Sequence, residues 1–334
     1  LKKYEDIDNL RNIAELLDIK VPSKKVTKKN YYIRVIVQKL MEDKRNVLRL
    51  IPPESIINLI RIIDGELEEV FSNYDNIAST DYLEELCLIF RDDTEEGITI
   101  NITPEAMAIA RFFDSEEGKK RLKDSNRIYH ILIGLMQVYR VVEVEKLYEL
   151  LEKNIKDMPL PSPLEFERYY IAVAMFWDEF NICEDNDSGQ NYYVNIEVEE
   201  VGYVLGLRGL SGITEYKIFT PQELERLSAL NISEYNPAYK DLIDYLIDER
   251  EISPQDFTFI MRNMELSCST GMEENAFIDN FKDIMRSLGI RFTKKLKNML
   301  LNIREEYPSA SLMGYSIKEY NDMKSRGRQV SLFD

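Results

Sequence analysis

The chain has 334 residues and a formal net charge of −17, with 43 Lys and Arg against 60 Asp and Glu. That length suits roughly two or three domains, a hydrophobic content of 44% is that of a globular protein, and so acidic a total repels nucleic acid over most of the surface. No run of eighteen apolar residues is present, which excludes a transmembrane helix, and Leu1-Lys2-Lys3-Tyr4-Glu5-Asp6 has no apolar core of a signal peptide, so cytoplasmic residence and no membrane partner are expected.

The charge is uneven. Residues 1–50 hold thirteen Lys and Arg against seven Asp and Glu, which makes a basic module on an acidic body. Residues 8–17 carry one short amphipathic helix and residues 31–41 a second. Between them lies Val21-Pro22-Ser23-Lys24-Lys25-Val26-Thr27-Lys28-Lys29. Two short helices around a lysine-rich extension, with Leu10, Leu16 and Leu17 on the first, resemble the helix-extension-helix modules of the SAP and Rho amino-terminal type. That resemblance implies contact with nucleic acid through Lys24, Lys25, Lys28 and Lys29. A solvated charged loop is the other reading of the same run.

From residue 51 the expected helix starts are explicit. Ser162-Pro163-Leu164-Glu165 and Thr220-Pro221-Gln222-Glu223 read as capping boxes with proline at the first helical position. Thr103-Pro104 and Ser253-Pro254 give the cap-then-proline cue, and Ser316-Ile317-Lys318-Glu319 gives another capping box. A helix from Pro53 is expected to stop at Asp64-Gly65, and one from Pro104 at Asp114. The fold class that follows is mainly α and multi-helical. The divisions read from the sequence are a basic module at 1–50, a helical linker region at 51–118, a middle domain at 119–205, a helical domain at 206–323 and a flexible tail at 324–334.

The middle segment departs from all-helix. Ile128, Ile131, Leu132, Leu135 and Met136 keep helical spacing, Leu147, Leu150 and Leu151 follow on a second helix, and the capped helix from Pro163 is third. Two β-rich runs at 179–183 and 192–196 then flank the turn Glu184-Asp185-Asn186-Asp187-Ser188-Gly189-Gln190. Three helices and then a small β-hairpin resemble a winged helix. Its third helix carries Glu165, Glu167 and one base, Arg168, and its wing turn has three acids and no base. Those charges oppose a phosphate backbone, so a structural or protein-binding winged helix is expected. Trp177 is expected in the core.

Residues 206–323 read as helical after one short strand at 216–219. Leu224, Leu227 and Leu230, then Leu242, Tyr245 and Leu246, then Phe281, Ile284 and Met285 form stripes expected to be core. Leu312-Met313-Gly314-Tyr315-Ser316-Ile317-Lys318-Glu319 resembles a closing segment of helical bacterial proteins, some of which carry a Cys-rich SEC-C metal tail that this sequence lacks. Cys87, Cys183 and Cys268 make no C-x-x-C pair, so reduced thiols are expected and no metal site. The single histidine, His130, sits in an apolar helix and leaves no material for a Ser-His-Asp triad. Neither G-x-x-x-x-G-K-[ST] nor G-x-G-x-x-G occurs, and Glu199-Glu200 and Glu305-Glu306 are neighbours that do not face each other on a helix. No enzyme activity and no cofactor are expected.

The last segment names a partner. Gln329-Val330-Ser331-Leu332-Phe333 resembles the linear peptide by which bacterial replication and repair proteins dock on the DNA polymerase sliding clamp. The resemblance implies that Gln329 enters a polar subsite, Ser331 keeps the linker small, and Leu332 with Phe333 fills the main pocket. Lys324, Arg326 and Arg328 just upstream suit the acidic outer surface of such clamps. An adaptor or inhibitor of clamp-associated replication or repair is therefore the expected function, and a phage-borne or mobile-element origin would suit it. Two adjacent apolar side chains also suit a tail that folds back on its own body.

Overall fold

The computed structural model describes residues 7–25, 28–67, 70, 74–94, 97–185, 189–228, 237–247 and 252–326. It is mainly helical, with two small antiparallel sheets among the described residues. No described helix is long and apolar enough to cross a membrane. The chain forms two compact units, residues 1–129 with 161–177, and residues 130–160 with 178–334. These units divide the segment 119–205 between them.

In the first unit, α1 (Ile7–Leu16) packs on α2 (Lys29–Glu42), and α3 (Pro53–Ile63) packs on α4 (Tyr74–Glu85). A hairpin follows, β1 (Ile89–Thr94) with β2 (Gly97–Ile102), in register from Ile89 opposite Ile102. The segment expected to be a helical linker therefore contains a sheet. Its cue is the alternation Ile98, Ile100, Ile102 after Gly97, a period of two rather than 3.6. α5 (Pro104–Phe113) starts and stops as expected, with Thr103 Oγ1 accepting from the amide of Ala106. Leu10, Ile13, Ile36, Leu59, Ile109 and Phe113 share one buried core.

The first unit also holds α8, which is α-helical over Pro163–Phe166, a wider π turn over Glu167–Ile171, and α-helical again over Ala172–Phe176. Ser162 caps it in the expected reciprocal box with Glu165. Trp177 is half-buried against the same core, and its Nε1 donates to the carbonyl of Leu50 at 2.7 Å. Its ring lies 4.4 Å from that of Tyr82.

α6 (Glu116–Tyr139) crosses the division at Tyr129. In the second unit its apolar stripe is buried as expected, Ile131, Leu132, Leu135 and Met136 among it. Gly134 meets α10 (Pro221–Ser228) so closely that a Cβ there would stand 2.3 Å from the Leu224 carbonyl oxygen. The three-stranded sheet has the order β3 (Val141–Glu143), β5 (Asn191–Asn195), β4 (Phe180–Glu184). The expected hairpin is thus present within one residue at each end, and β3 joins it by pairing Val142 with Tyr193. α7 (Val144–Asn154) and α9 (Val201–Ser211) flank the sheet in sequence.

The remaining α-helices among the described residues are α11 (Pro237–Ile247), α12 (Pro254–Ser269), α13 (Glu274–Ser287), α14 (Lys294–Glu306) and α15 (Ile317–Ser325). Tyr239, Leu242, Phe277, Phe281, Leu300 and Ile303 belong to the core that α11 to α14 share. Leu230 lies outside the described residues. The strand expected at 216–219 is not formed. Its backbone groups are taken elsewhere: the Phe219 amide donates to Asn154 Oδ1 at 2.7 Å, the Lys217 amide donates to the Met313 carbonyl at 3.0 Å, and the Tyr139 hydroxyl donates to the Lys217 carbonyl. A segment satisfied by side chains and a loop has no need of a ladder.

Arg208 is the polar centre of this region. It is buried, and its Nε and Nη2 donate to the carbonyls of Ala310 and Tyr139, both at 2.7 Å. Its Nη1 donates to the Tyr216 hydroxyl at 3.2 Å, which in turn donates to Glu143. Burial first, and then the Glu143 carboxylate against the opposing pull of Arg208, holds the Tyr216 phenol above its ordinary value.

Candidate functional site

The basic module gathers its cations in one place. A short 3-10 turn, Ser23–Lys25, is closed by the Lys25 amide donating to the Pro22 carbonyl, and the Lys28 amide then donates to Lys25. This fold-back brings Lys25 and Lys28 beside the first turns of α2. Lys25, Lys28, Lys29, Asn30, Tyr31 and Arg34 line one open hollow of about 620 Å³. Lys24 is exposed next to it, on the same 3-10 turn. The Arg34 guanidinium lies 5.5 Å from the Tyr31 ring centre, so a planar cation and an aromatic face share the wall.

Two features leave this hollow with uncompensated positive charge. Lys28 is the N-cap of α2 and makes no side-chain cap hydrogen bond. Lysines at the positive end of a helix dipole are unfavourable at low salt, and an anion there is favourable. Secondly, three acids of the module are taken by other cations. Asp8 pairs with Arg11, Asp43 takes Arg45 through two hydrogen bonds of 2.7 Å, and Asp18 takes Arg49 at 2.9 Å and Arg168 at 3.4 Å. Burial raises the Asp18 carboxyl, but the hydrogen bond and charge of Arg49, with Arg168 and Lys39 behind it, outweigh that and hold it below its ordinary value. None of Lys24, Lys25, Lys28, Lys29 and Arg34 makes an ion pair among the described residues.

Gln329, Ser331, Leu332 and Phe333 lie outside the described residues. The segment leading to them is described as far as Arg326: α15 has no buried residue, Lys324 lies over the Tyr320 ring at 4.5 Å, and Arg326 is exposed.

The other residues singled out in the sequence take ordinary roles. His130 is half-buried with Nδ1 3.1 Å from Ser228 Oγ. The three cysteines are free thiols, and among the described residues no cluster of three or more His, Cys, Asp or Glu is placed to hold a metal ion.

A buried charge cluster in the second unit was missed. Arg140 is wholly buried with a positive φ of 56°, and its Nη1 donates to Asn195 Oδ1 at 2.9 Å and to Glu197. Arg262 approaches Glu197 at 3.8 Å. Glu265, on α12, is also buried. Desolvation pushes its carboxyl up to about 8, with the nearby Glu197 adding to the rise and Arg140 and Arg262 opposing it. Their sequence signal is a lone charge inside an apolar run, Tyr139-Arg140-Val141 and Met264-Glu265-Leu266. No family model, curated protein or solved structure matches this chain.

Proposed function

We propose that this is a binding protein whose basic amino-terminal module takes the backbone of a single-stranded nucleic acid. The observation that carries this reading is the convergence of Lys25, Lys28, Lys29 and Arg34 on one hollow, none of them ion-paired among the described residues. Tyr31 favours a single strand, because an unstacked base has a free face to lay on an aromatic ring. The acidic remainder of the chain repels the same ligand and restricts contact to the module.

Anisotropy titration of a labelled oligonucleotide across a salt series tests this. Affinity should fall with log salt at a slope of about −0.7 per phosphate neutralised. Changing Lys24, Lys25, Lys28 and Lys29 to Ala should weaken binding by about tenfold or more and flatten that slope. Binding that ignores salt, or that survives the four changes, removes the proposal.

A second reading rests on the peptide motif and on the exposed root it grows from at Lys324 and Arg326. In it the protein is an adaptor or inhibitor that docks on the bacterial DNA polymerase sliding clamp through Gln329, Ser331, Leu332 and Phe333. Burying Leu332 and Phe333 contributes roughly 1.5–3 kcal/mol each. A chain lacking residues 329–334 should therefore bind the clamp about a hundredfold or more weaker than the full chain in a direct titration. Equal affinities for the two would defeat this reading.

A further inference from the structure

A different face of α2 borders a pocket that neither reading uses. Ile33, Ile36, Val37, Leu40 and Met41 follow one another at helical spacing, and all five line an apolar pocket of about 210 Å³ in the first unit. Ile13 of α1, Leu86 and Ile109 of α5 line it from other sides. Native cores pack densely and leave few voids larger than a water molecule. A void of this size deprives its apolar lining of contacts that an apolar guest restores. An engineered apolar cavity of about 150 Å³ takes benzene, so about 210 Å³ has room for a guest of about eight or nine non-hydrogen atoms.

The polar atoms at its edge decide what kind of guest. Thr103 is committed, since its hydroxyl donates to the Leu88 carbonyl at 3.0 Å and accepts from the Ala106 amide at 3.2 Å. Cys87 is a nearly buried thiol held at a φ of +55°. Glu105 is the one charged residue of the lining, half-exposed in the first turn of α5, and makes no ion pair or hydrogen bond among the described residues. Among the described residues no cation lines the pocket. A carboxylate at the rim of an apolar hole favours a cationic head and repels an anionic one.

We propose that this pocket binds a small amphiphilic amine, with its apolar body among Ile33, Ile36, Leu40 and Ile109 and its ammonium group at Glu105. The inference stands apart from the nucleic-acid and clamp readings. It is tested on the full chain with 2-phenylethylamine, 2-phenylethanol and phenylacetate, three probes of nearly one size that differ in head charge. The affinity of each is taken by calorimetry. Alkylation of Cys87 is followed in parallel by peptide mass spectrometry, which separates it from Cys183 and Cys268. The amine should bind about tenfold tighter than phenylacetate and slow alkylation at Cys87. In Glu105→Gln the amine should fall to the affinity of the alcohol, while the alcohol is unchanged. An amine and an acid that bind alike, a preference for the amine that persists in Glu105→Gln, or alkylation of Cys87 that no probe slows would overturn the proposal.

Discussion

Replacing Arg208 with Met should lower the unfolding free energy by about 3–5 kcal/mol, with Arg208→Lys falling between the two. Arg208 donates to two backbone carbonyls, on Ala310 and Tyr139, and to the Tyr216 hydroxyl, all from a buried position. Methionine fills much of the same volume and brings no donor. The Tyr139 carbonyl then stays buried without the partner it has here, at about 1–3 kcal/mol, the Ala310 carbonyl keeps only the Met313 amide, and both charge-assisted hydrogen bonds are lost. Lysine restores a charge but is a single point donor where the guanidinium spreads three nitrogens. Urea titration followed by far-ultraviolet circular dichroism reads the effect. A Met variant within about 0.5 kcal/mol of the parent would show that the network is dispensable.

The second large effect is a dependence on pH. Glu265 holds its proton up to about pH 8 in the folded chain, because burial penalises the carboxylate more than Arg140 and Arg262 favour it. In the unfolded chain the same carboxyl titrates near its ordinary value of about 4.3. Between those two values the folded state binds the extra proton, so stability falls as pH rises through the window and stops falling above about 8. The slope is about 1.4 kcal/mol per pH unit for one such group, and the whole loss is several kcal/mol. Glu265→Gln keeps the shape and the neutral state, so it should flatten the fall and leave the variant the more stable form at pH 8. At pH 5 the two should agree within about 1 kcal/mol. Denaturation at pH 5, 6.5 and 8 separates the cases, and parallel slopes for the two proteins would refute the assignment.

The parts of this fold that were legible in the sequence are those decided within one turn of chain. Thr103, Ser162, Thr220, Ser253 and Ser316 all accept from the amide three residues on, because a cap needs only its own helix. The stripes through α6, α7 and α13 are buried for the same reason: periodicity names the inward face without naming what covers it. What escaped was decided at a distance. β3 is three residues long and exists through its pairing with β5, about fifty residues away. The segment at 216–219 has strand-like residues, but Asn154 and Met313 had already claimed its amides. The indole of Trp177 found its acceptor on Leu50, 127 residues earlier.

The candidate site divides along the same line. The lysine run was visible as charge. That Tyr31 and Arg34 share its hollow was not, because α2 was expected from residue 31 and begins at Lys29. Starting two residues earlier takes Lys29 out of the loop and into the wall of the hollow. Arg140, Arg208 and Glu265 carried no warning beyond being single charges in greasy surroundings. Whether such a residue is buried depends on which elements close over it, and a one-dimensional pattern does not record that.

The wide turn at Glu167–Ile171 has a consequence for how this chain can change in length. α8 is pinned at one end by the Ser162 box and at the other by the indole on Leu50. A regular helix between fixed pins has one residue count that fits, since each residue added or removed swings the far end by about 100°. A loosened coil absorbs one surplus residue locally and leaves both pins where they were. Within this turn Arg168 meets Asp18 and Tyr170 reaches Ser125. The helix interior, and not only the connections between helices, is thus a place where the ancestry of this protein could lengthen or shorten it by a single codon.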